Sequence, residues 1–308
     1  MLGPTLLAAS RSPRVKHLVT STPVSRRLVD RFVAGESEND VAGAAERLIM
    51  SGLAVTVDRL GEDTIDVARA QDTRDAYVGL LERLGREGIA AWAEVSLKLS
   101  AVGQALPGDG RRIALENARA ICAAAQRAGT TVTVDMEDHT TVDSTLETVR
   151  ELRADFPWVG AVLQSCLRRT EQDCRDLAYD GSRVRLVKGA YAEPAGVAYP
   201  SKHDVDCSYV RCLRILMAGS AHPMVATHDA RMLQVASALA ARNDRAPGSY
   251  EYQMLYGIRP REQRRLAGTG SQVRVYLPYG ADWYGYLMRR MAERPANLTF
   301  FLRSVLTR

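Results

Sequence analysis

The chain has 308 residues, of which 46% are hydrophobic and 25% are charged, an ordinary composition for a folded globular protein. A chain of this length buries about 75% of the surface that its unfolded form exposes, so its core needs no disulfide framework. The formal net charge is +5. Because acidic and basic residues are interspersed rather than gathered into a stripe, we exclude nucleic acid as a partner.

The five cysteines show neither a CxxC pair nor the spacing of a zinc site. An odd, unpatterned set of thiols is typical of a reducing compartment. No window of the sequence approaches the roughly 18 apolar residues of a membrane span. We therefore expect a cytoplasmic protein whose contact with a membrane is at most peripheral.

Residues 1–51 are predicted to form helices that pack on the domain that follows, residues 52–308. Ser37-Glu38-Asn39-Asp40 resembles a helix-capping sequence. The apolar residues after it recur at helical spacing and share one face: Val41, Ala44, Ala45, Leu48 and Ile49. Gly52 is predicted to end this helix.

From residue 52 onward, short β-rich segments alternate with segments of helical periodicity. The eight β segments are Leu53–Asp58, Trp92–Ser100, Thr131–Met136, Val159–Cys166, Val184–Tyr191, His222–Asp229, Tyr250–Gly257 and Val273–Gly280. Their starts lie roughly 23 to 39 residues apart, about one βα unit each. Eight such units predict an α/β protein with a (β/α)₈ TIM-like barrel. The doubly wound alternative usually carries a GxGxxG motif, which this sequence lacks.

Catalytic residues of such barrels lie at the carboxyl ends of the strands and in the loops after them. The polar residues at these predicted ends are Lys98, Asp135, Gln164, Arg185, Lys188, Thr227, His228, Asp229, Gln253 and Tyr276. Only four of the 41 basic residues are lysines, and two of them stand at strand ends. A lysine kept in an arginine-rich chain favours a role for a compact ammonium group.

Lys98 or Lys188 is therefore a candidate Schiff-base amine, and a barrel lyase of the aldolase type is one function open to this chain. Lys188-Gly189-Ala190 also has the composition of a backbone turn. The small residues there would let a planar ligand or a phosphate approach the main chain closely.

The densest cluster of acids and histidine is Asp135-Met136-Glu137-Asp138-His139. A metal site there would need a second histidine from a neighbouring strand. The first turn of a helix is another use for acidic residues in such a run. We expect no metal at this cluster.

The last predicted helix, from about Asp282 to Arg294, carries Arg289, Arg290 and Glu293 within one sector of about 100°. Glu293 follows the two arginines by four and three positions, so it can orient both guanidinium groups. Two adjacent arginines braced by an acid form a fork suited to a carboxylate. A solvated helix face with ordinary ion pairs is the alternative.

Four motifs resemble the proline dehydrogenase family. In chain order they are Leu97-Lys98-Leu99-Ser100, Arg185–Tyr191 (RLVKGAY), Ala226-Thr227-His228 and Tyr284–Asn297 (YGYLMRRMAERPAN). The similarity runs from about Leu53 to Phe301 and favours the monofunctional bacterial branch. It implies a distorted (β/α)₈ barrel that binds FAD and oxidises L-proline to Δ1-pyrroline-5-carboxylate, the first step of proline catabolism to glutamate. A membrane quinone would reoxidise the flavin, and a separate pyrroline-5-carboxylate dehydrogenase would take the product.

The resemblance also implies roles for single residues. Arg289 and Arg290 match the pair that clamps the proline carboxylate, and Glu293 matches their brace. The catalytic polar members of the pocket and the apolar wall for the pyrrolidine ring correspond to Lys98, Asp135, Tyr276 and Leu255. The flavin contacts correspond to Asp135, Gln164, Arg185, Val187, Gly189, Ala190, Thr227 and His228.

Overall fold

Eight parallel strands close into a barrel in the order of the sequence, β1 to β8. The computed structural model describes residues 29–62 and 64–293, with side chains up to residue 288. The strands are β1 (Ala54–Arg59), β2 (Ala93–Leu97), β3 (Val132–Val134), β4 (Gly160–Gln164), β5 (Arg183–Val187), β6 (His222–Ala226), β7 (Glu251–Leu255) and β8 (Val273–Tyr279). The predicted (β/α)₈ barrel is confirmed.

A helix precedes β1 and helices alternate with the strands around the barrel. They are α1 (Glu38–Met50), α2 (Val67–Arg86), α3 (Gly110–Ala128), α4 (Val142–Asp155), α5 (Thr170–Asp176), α6 (Lys202–Ala218), α7 (Ala230–Arg242), α8 (Pro260–Gly268) and α9 (Trp283–Glu293). Among the described residues, no helix combines the length and the apolar character that crossing a bilayer requires.

The first described helix begins where the capping sequence predicts. The Ser37 hydroxyl accepts the N–H of Asp40 at 3.2 Å, and the Asp40 carboxylate accepts the N–H of Ser37 at 3.0 Å. This reciprocal pair satisfies two backbone donors that the helix itself leaves without partners. The helix ends at Met50, and Gly52 follows with φ +77°. Residues 1–28 lie outside the described part, so the division into domains at residue 51 stays a prediction.

The apolar core lies between the barrel wall and the surrounding helices. Val55 and Val57 of β1 point outward into it and are fully buried, while Thr56 and Asp58 alternate with them and point into the barrel. The outer faces of the strands pack in two buried clusters. One joins β1 to β4 and the end of β8 to α1 to α4, and the other joins the end of β4 and β5 to β8 to α5 to α8. Most side chains that point into the barrel are polar.

A charged network occupies the barrel interior. Glu94, only 1% exposed, accepts from Arg183 Nη2 at 2.7 Å and lies 3.4 Å from Arg185 Nη2 and 3.8 Å from Arg274 Nε. Glu251 accepts from Arg274 Nε at 2.9 Å. Burial disfavours the charge of Glu94, but the three arginines outweigh it and hold the pKa of this carboxyl well below its usual range. These residues lie one layer below the carboxyl ends of the strands.

Helix α9 is held over the carboxyl end of the barrel by a satellite apolar cluster. Phe32 and Val33, which precede α1, are 1% exposed and belong to one buried group with Trp283 and Leu287 of α9. The Trp283 indole also donates to Glu36 Oε1 at 2.9 Å. Packing from the segment before α1 therefore sets the position of the last described helix.

Candidate active site

A cavity of about 510 Å³ opens at the carboxyl ends of the strands, within the usual range for small-molecule and cofactor sites. Each predicted site residue whose side chain is described lines it: Lys98, Asp135, Gln164, Arg185, Val187, Gly189, Ala190, Thr227, His228, Leu255 and Tyr276. The predicted carboxylate fork, Arg289 and Arg290 with Glu293, continues the backbone of α9, but its side chains lie outside the described part.

Lys98 is the centre of an ionic cluster on one wall of the cavity. Its Nζ lies 2.9 Å from both carboxylate oxygens of Asp58, 3.4 Å from Asp135 Oδ2 and 3.5 Å from the Tyr276 hydroxyl. Burial alone would lower the pKa of Lys98, but Asp58, Tyr276 and Asp135 together raise this pKa well above its usual value. The lysine is therefore a fixed ammonium group.

Asp135 joins that cluster to the interior of the barrel. Its Oδ2 accepts from the Tyr276 hydroxyl at 2.8 Å, and its Oδ1 accepts from Ser96 Oγ and Arg185 Nη1, each at 2.7 Å. Burial opposes the charge of Asp135, but Lys98 and Arg185 lower the pKa of its carboxyl. Asp135 is thus a carboxylate that accepts four polar contacts.

Tyr276 is held as a neutral phenol. Burial, followed by the charges of Asp135 and Asp58, raises the pKa of Tyr276 well above its usual value. The guanidinium carbon of Arg185 lies 5.4 Å from the centroid of the Tyr276 ring, within the range of a cation–π contact. The phenol donates to Asp135 Oδ2 and adds a neutral hydroxyl to the ionic cluster on this wall.

The loop after β5 leaves main chain exposed at another wall of the cavity. Gly189 has φ +109°, and a Cβ at this position would collide with Cys166 Sγ and lie 3.5 Å from Gln164 Oε1. Gln164 Nε2 donates to the Glu137 carbonyl at 2.7 Å, which fixes the orientation of this amide. Glycine is required at position 189 because the loop packs against Cys166 on that side. Gly189 and Ala190 are exposed and line the cavity, so their main chain is open to close approach by a planar group.

His228 and Leu255 are tied together where β6 and β7 end. The Leu255 N–H donates to His228 Nε2 at 2.8 Å, so Nε2 carries the acceptor lone pair and the ring proton is on Nδ1. Arg259 Nη1 donates to the His228 carbonyl at 2.7 Å, and Gln263 Nε2 donates to the Leu255 carbonyl at 3.1 Å. This set of bonds fixes an apolar side chain and an imidazole at defined positions on the cavity wall.

The predicted Schiff-base lysines are both held in ion pairs. Lys188 Nζ lies 2.5 Å from Asp206 and 3.1 Å from Asp229, and Lys98 lies between Asp58 and Asp135. A Schiff base needs a neutral amine with a free lone pair. The ion pairs of both lysines and the raised pKa of Lys98 work against that chemistry and disfavour the lyase hypothesis.

The dense acidic run after β3 divides among several tasks. Asp135 belongs to the ionic cluster, and Glu137 accepts from the backbone N–H of Ser100 at 3.1 Å. Asp138 accepts the N–H of Thr140 at 2.8 Å at the start of a short 3₁₀ turn. His139 is paired with Glu193. In the described ranges, no three His, Cys, Asp or Glu side chains form a group suited to a metal ion.

The cavity residues that the sequence did not single out include Asp58, Glu62 and Tyr286. Asp58 is the polar end of the first predicted strand, so the strand-end rule would have found it had that rule been applied to β1. Glu62 lies in the loop after β1 and offered no such signal. Tyr286 precedes Arg289 and Arg290 by three and four positions, a spacing that shares one helix face.

Comparison with known proteins identifies the family. The family model described as proline dehydrogenase matches residues 41–303. The chain belongs to the proline dehydrogenase family. Proline dehydrogenase of Deinococcus radiodurans is 41% identical over 98% of this chain and 96% of its own length. Proline dehydrogenase 1 of Bacillus subtilis is 37% identical over 90% of each chain.

Longer relatives contain the same unit as one part. The bifunctional protein PutA of Escherichia coli is 27% identical over 90% of this chain, which spans 24% of the PutA length. Among solved structures, PutA of Bdellovibrio bacteriovorus, inactivated by N-propargylglycine, superposes with a TM-score of 0.83 at 23% identity over 98% of this chain and 37% of its own. That superposition supports the barrel fold.

The family fixes the class of reaction. Proline dehydrogenases are flavin-dependent oxidoreductases of proline catabolism, and this chain is a proline dehydrogenase. Its substrate is proline. The family assignment favours dehydrogenation over the Schiff-base lyase considered from the sequence.

Proposed function

We propose that the chain oxidises L-proline to Δ1-pyrroline-5-carboxylate in the central cavity, with FAD bound there non-covalently. The observation that supports this proposal is that an ionic wall and a wall of exposed main chain face the same cavity. One wall is the ionic cluster of Lys98, Asp135 and Tyr276. The other is the open main chain at Gly189 with the oriented amide of Gln164.

The residues present fit a flavin. A planar tricyclic ring with a polar edge needs exposed backbone and oriented side-chain donors and acceptors along its border. The cavity supplies open backbone at Gly189 and Ala190, with Val162 and Val187 on its apolar surface. Beyond these, Gln164, Arg185, Thr227 and His228 are assigned to the cofactor. When bound, FAD accepts the hydride that leaves C5 of proline.

The side chains of the chain itself position the substrate and control its protons. Oxidation removes a hydride from C5 and one proton from the ring nitrogen, and the C–N bond becomes a C=N bond. The nitrogen must be neutral for this to occur. The fixed positive charge of Lys98 disfavours a second cation beside it, so it lowers the pKa of a bound secondary amine. Leu255 supplies an apolar contact for the ring.

The carboxylate end of proline is assigned to Arg289 and Arg290, with Glu293 as their brace. Helix α9 supports this assignment, because Tyr286 of α9 lines the cavity. Residues three, four and seven positions after Tyr286 recur on the same face of a helix. A bidentate guanidinium pair holds a planar carboxylate in one orientation, which sets the distance from the reacting C5 to the cofactor site.

The electrons are assigned to a membrane quinone, and the product to a separate pyrroline-5-carboxylate dehydrogenase. A lipid-soluble acceptor requires that the protein visit the membrane surface. We therefore place the enzyme in the cytoplasm with a peripheral membrane contact. Sedimentation with anionic liposomes tests this part: an increase in bound protein after reduction by proline supports a redox-coupled contact, and equal sedimentation in both redox states excludes the coupling.

Cofactor release and product analysis test the proposal. Heat or acid precipitation of the purified yellow protein should release the colour into the supernatant, and mass spectrometry should identify FAD. L-proline and a quinone analogue should yield the cyclic imine. Release of FMN, or colour that stays in the pellet, contradicts non-covalent FAD. A carbonyl substrate trapped on Lys98 or Lys188 by borohydride would instead support the lyase hypothesis.

A further inference from the structure

Asp58 holds the ammonium group of Lys98 more closely than any other described contact of that group. Both of its carboxylate oxygens lie 2.9 Å from Lys98 Nζ, compared with 3.4 Å for Asp135 Oδ2 and 3.5 Å for the Tyr276 hydroxyl. The side chain of Asp58 is 1% exposed and that of Lys98 is 11% exposed. A two-oxygen contact in so buried a place fixes the direction of the lysine stem.

The fold explains why Asp58 can do this. β1 pairs with β2 and with β8, and Asp58 lies opposite Ser96 on one side and Pro278 on the other. Its side chain points into the barrel, on the same side of the strand as Thr56, which donates to Glu94. Asp58 therefore approaches Lys98 from β1, whereas Asp135 and Tyr276 approach it from β3 and β8.

We propose that Asp58 is the positioning residue that keeps Lys98 fixed and charged, so that Lys98 faces the cavity as an immobile cation and not as a free amine. The effect of that cation on proline rests on the proposed function, but the hold of Asp58 on Lys98 does not. Asp58 acts on the reaction only through Lys98.

The charge balance around Lys98 supports this role. The titratable groups near it are Asp58 from β1, Tyr77 from α2, Asp135 and Glu137 after β3 and Tyr276 from β8, with Arg185 behind Asp135. Burial acts to deprotonate the lysine, and Asp58 is the strongest of the neighbours that oppose it. Burial also raises the pKa of Asp58 above its usual value, and Lys98 is the strongest neighbour that opposes this shift, so each charge stabilises the other. Without the Asp58 carboxylate, burial should carry more weight, and the pKa of Lys98 should fall.

Reductive methylation of the flavin-loaded enzyme with formaldehyde and cyanoborohydride tests this directly, because it modifies only unprotonated amines. The chain has four lysines, so peptide mass spectrometry resolves each one. Lys202, whose side chain is 71% exposed, is the internal reference. In the wild type, we expect Lys98 to react far more slowly than Lys202. In Asp58→Asn, the rate at Lys98 should rise about tenfold for each unit by which its pKa falls.

Asp229→Asn is the matched control, because Asp229 lines the same cavity but bonds to Lys188 at 3.1 Å. Asp229 also lies 3.9 Å from Lys202, so the rate at Lys98 in this variant is compared directly with the wild-type rate at Lys98. The control should leave the rate at Lys98 at the wild-type level. An unchanged rate at Lys98 in folded Asp58→Asn overturns the proposal, and so does an equal increase at Lys98 in Asp229→Asn. Both outcomes hold whether or not the enzyme oxidises proline.

A second pair of measurements covers kinetics and folding. If Lys98 must stay charged, kcat/KM for proline should fall at lower alkaline pH in Asp58→Asn than in wild type, and Asp58→Glu should restore part of the range. Should Asp58→Asn fail to fold, the double variant K98M/D58N should recover the folded state, because no unpaired buried ammonium remains. A double variant that also fails to fold, or an unshifted alkaline limb, contradicts the proposal.

Discussion

Arg185 and Asp135 form an ion pair, with 2.7 Å between Nη1 and Oδ1, that joins the charged interior of the barrel to its cavity. Arg185 also reaches down to Glu94 at 3.4 Å and to Gln253 Oε1 at 2.5 Å. The interior network thus does more than fill the barrel: it fixes the guanidinium that orients Asp135, and Asp135 in turn accepts from Tyr276. A substitution in the interior network should therefore alter the positions of Asp135 and Tyr276 in the cavity.

Glu94→Gln should destabilise the fold strongly. It removes the carboxylate that lies within 4 Å of Arg183, Arg185 and Arg274 and leaves their charges buried with less compensation. Loss of one partner from a buried ionic group costs about 3–5 kcal/mol. Urea denaturation measures this as a fall in the free energy of unfolding.

Glu87→Gln is the control for that variant. Glu87 pairs with Arg83 at 2.7 Å on the surface of α2, where it is 39% exposed, and its loss should change the free energy of unfolding by under about 1 kcal/mol. A similar loss in the free energy of unfolding in both variants would show that the interior network does not stabilise the fold more than a surface ion pair does.

Lys98→Met should retain the flavin but slow flavin reduction by proline, and it should lower stability because Asp58, 1% exposed, loses its ammonium partner. Methionine keeps the length of the stem and removes the cation, so the cavity no longer disfavours a protonated substrate amine. A contact to a charged group is worth about 1.5–3 kcal/mol, which predicts a loss of roughly 10- to 150-fold in kcat/KM. Anaerobic stopped-flow absorbance measures the reduction rate, and a rate equal to that of wild type rules out a role for the charge.

Arg289→Met and Arg290→Met should each raise KM for proline far more than they change flavin content. Loss of one charge-assisted contact of the fork predicts roughly a 10- to 150-fold fall in kcat/KM. Lysine at either position should restore only part of this, because a point charge cannot reproduce a planar fork. Glu293→Gln should have a smaller effect of the same kind. Steady-state kinetics measure each change.

Pyrrolidine is the control substrate for the fork, because it lacks the carboxylate. It should be a poor substrate of the wild type, and the arginine variants should lose little further activity with it. Wild-type kcat/KM for proline in both methionine variants would favour the alternative, a solvated helix face with ordinary ion pairs.

His222 should make stability depend on pH below neutrality. Burial, only partly offset by Glu251, lowers the pKa of His222 below its usual 6.5 in the folded state. The unfolded chain then binds more protons below pH 6.5 than the folded chain does. The contribution of His222 to the free energy of unfolding is therefore fully present above about pH 6.5. It declines as the pH falls through 6.5 toward the folded pKa.

Urea denaturation at pH 7.5 and 5.5 measures that decline, and His222→Gln should reduce the difference between the two values. The comparison is made within each variant, so a uniform loss of stability in His222→Gln does not affect it. An equal pH dependence in both proteins would show that His222 does not contribute.

The strands could be predicted because each carries a short β-rich segment between helical ones. All eight predicted segments contain a strand, but several run too far at the carboxyl end: the fifth was extended to Tyr191, whereas β5 ends at Val187. Ala190 and Tyr191 could continue a strand by their composition, but Gly189 has a positive φ that turns the chain away from the sheet. Local sequence therefore predicted the strands better than the loops that follow them.

The candidate site could be predicted in position, but its connections could not. Strand-end polarity and the family resemblance together pointed to Lys98, Asp135 and Tyr276, which the structure brings to one wall. The contact of Lys98 with Asp58 depends on the register in which β1 pairs with β2. The interior network around Glu94 joins β2 to β5, β7 and β8 and depends on closure of the barrel. Neither has a signature along the chain.

Anaerobic titration of the purified protein with L-proline tests the central claim most directly, because the reaction transfers two electrons from each substrate molecule to the bound flavin. We expect the visible absorption of the oxidised flavin to disappear after about one equivalent of L-proline and one equivalent of cyclic imine to form. A flavin spectrum that stays unchanged under excess L-proline, in protein that retains its FAD, would contradict this claim.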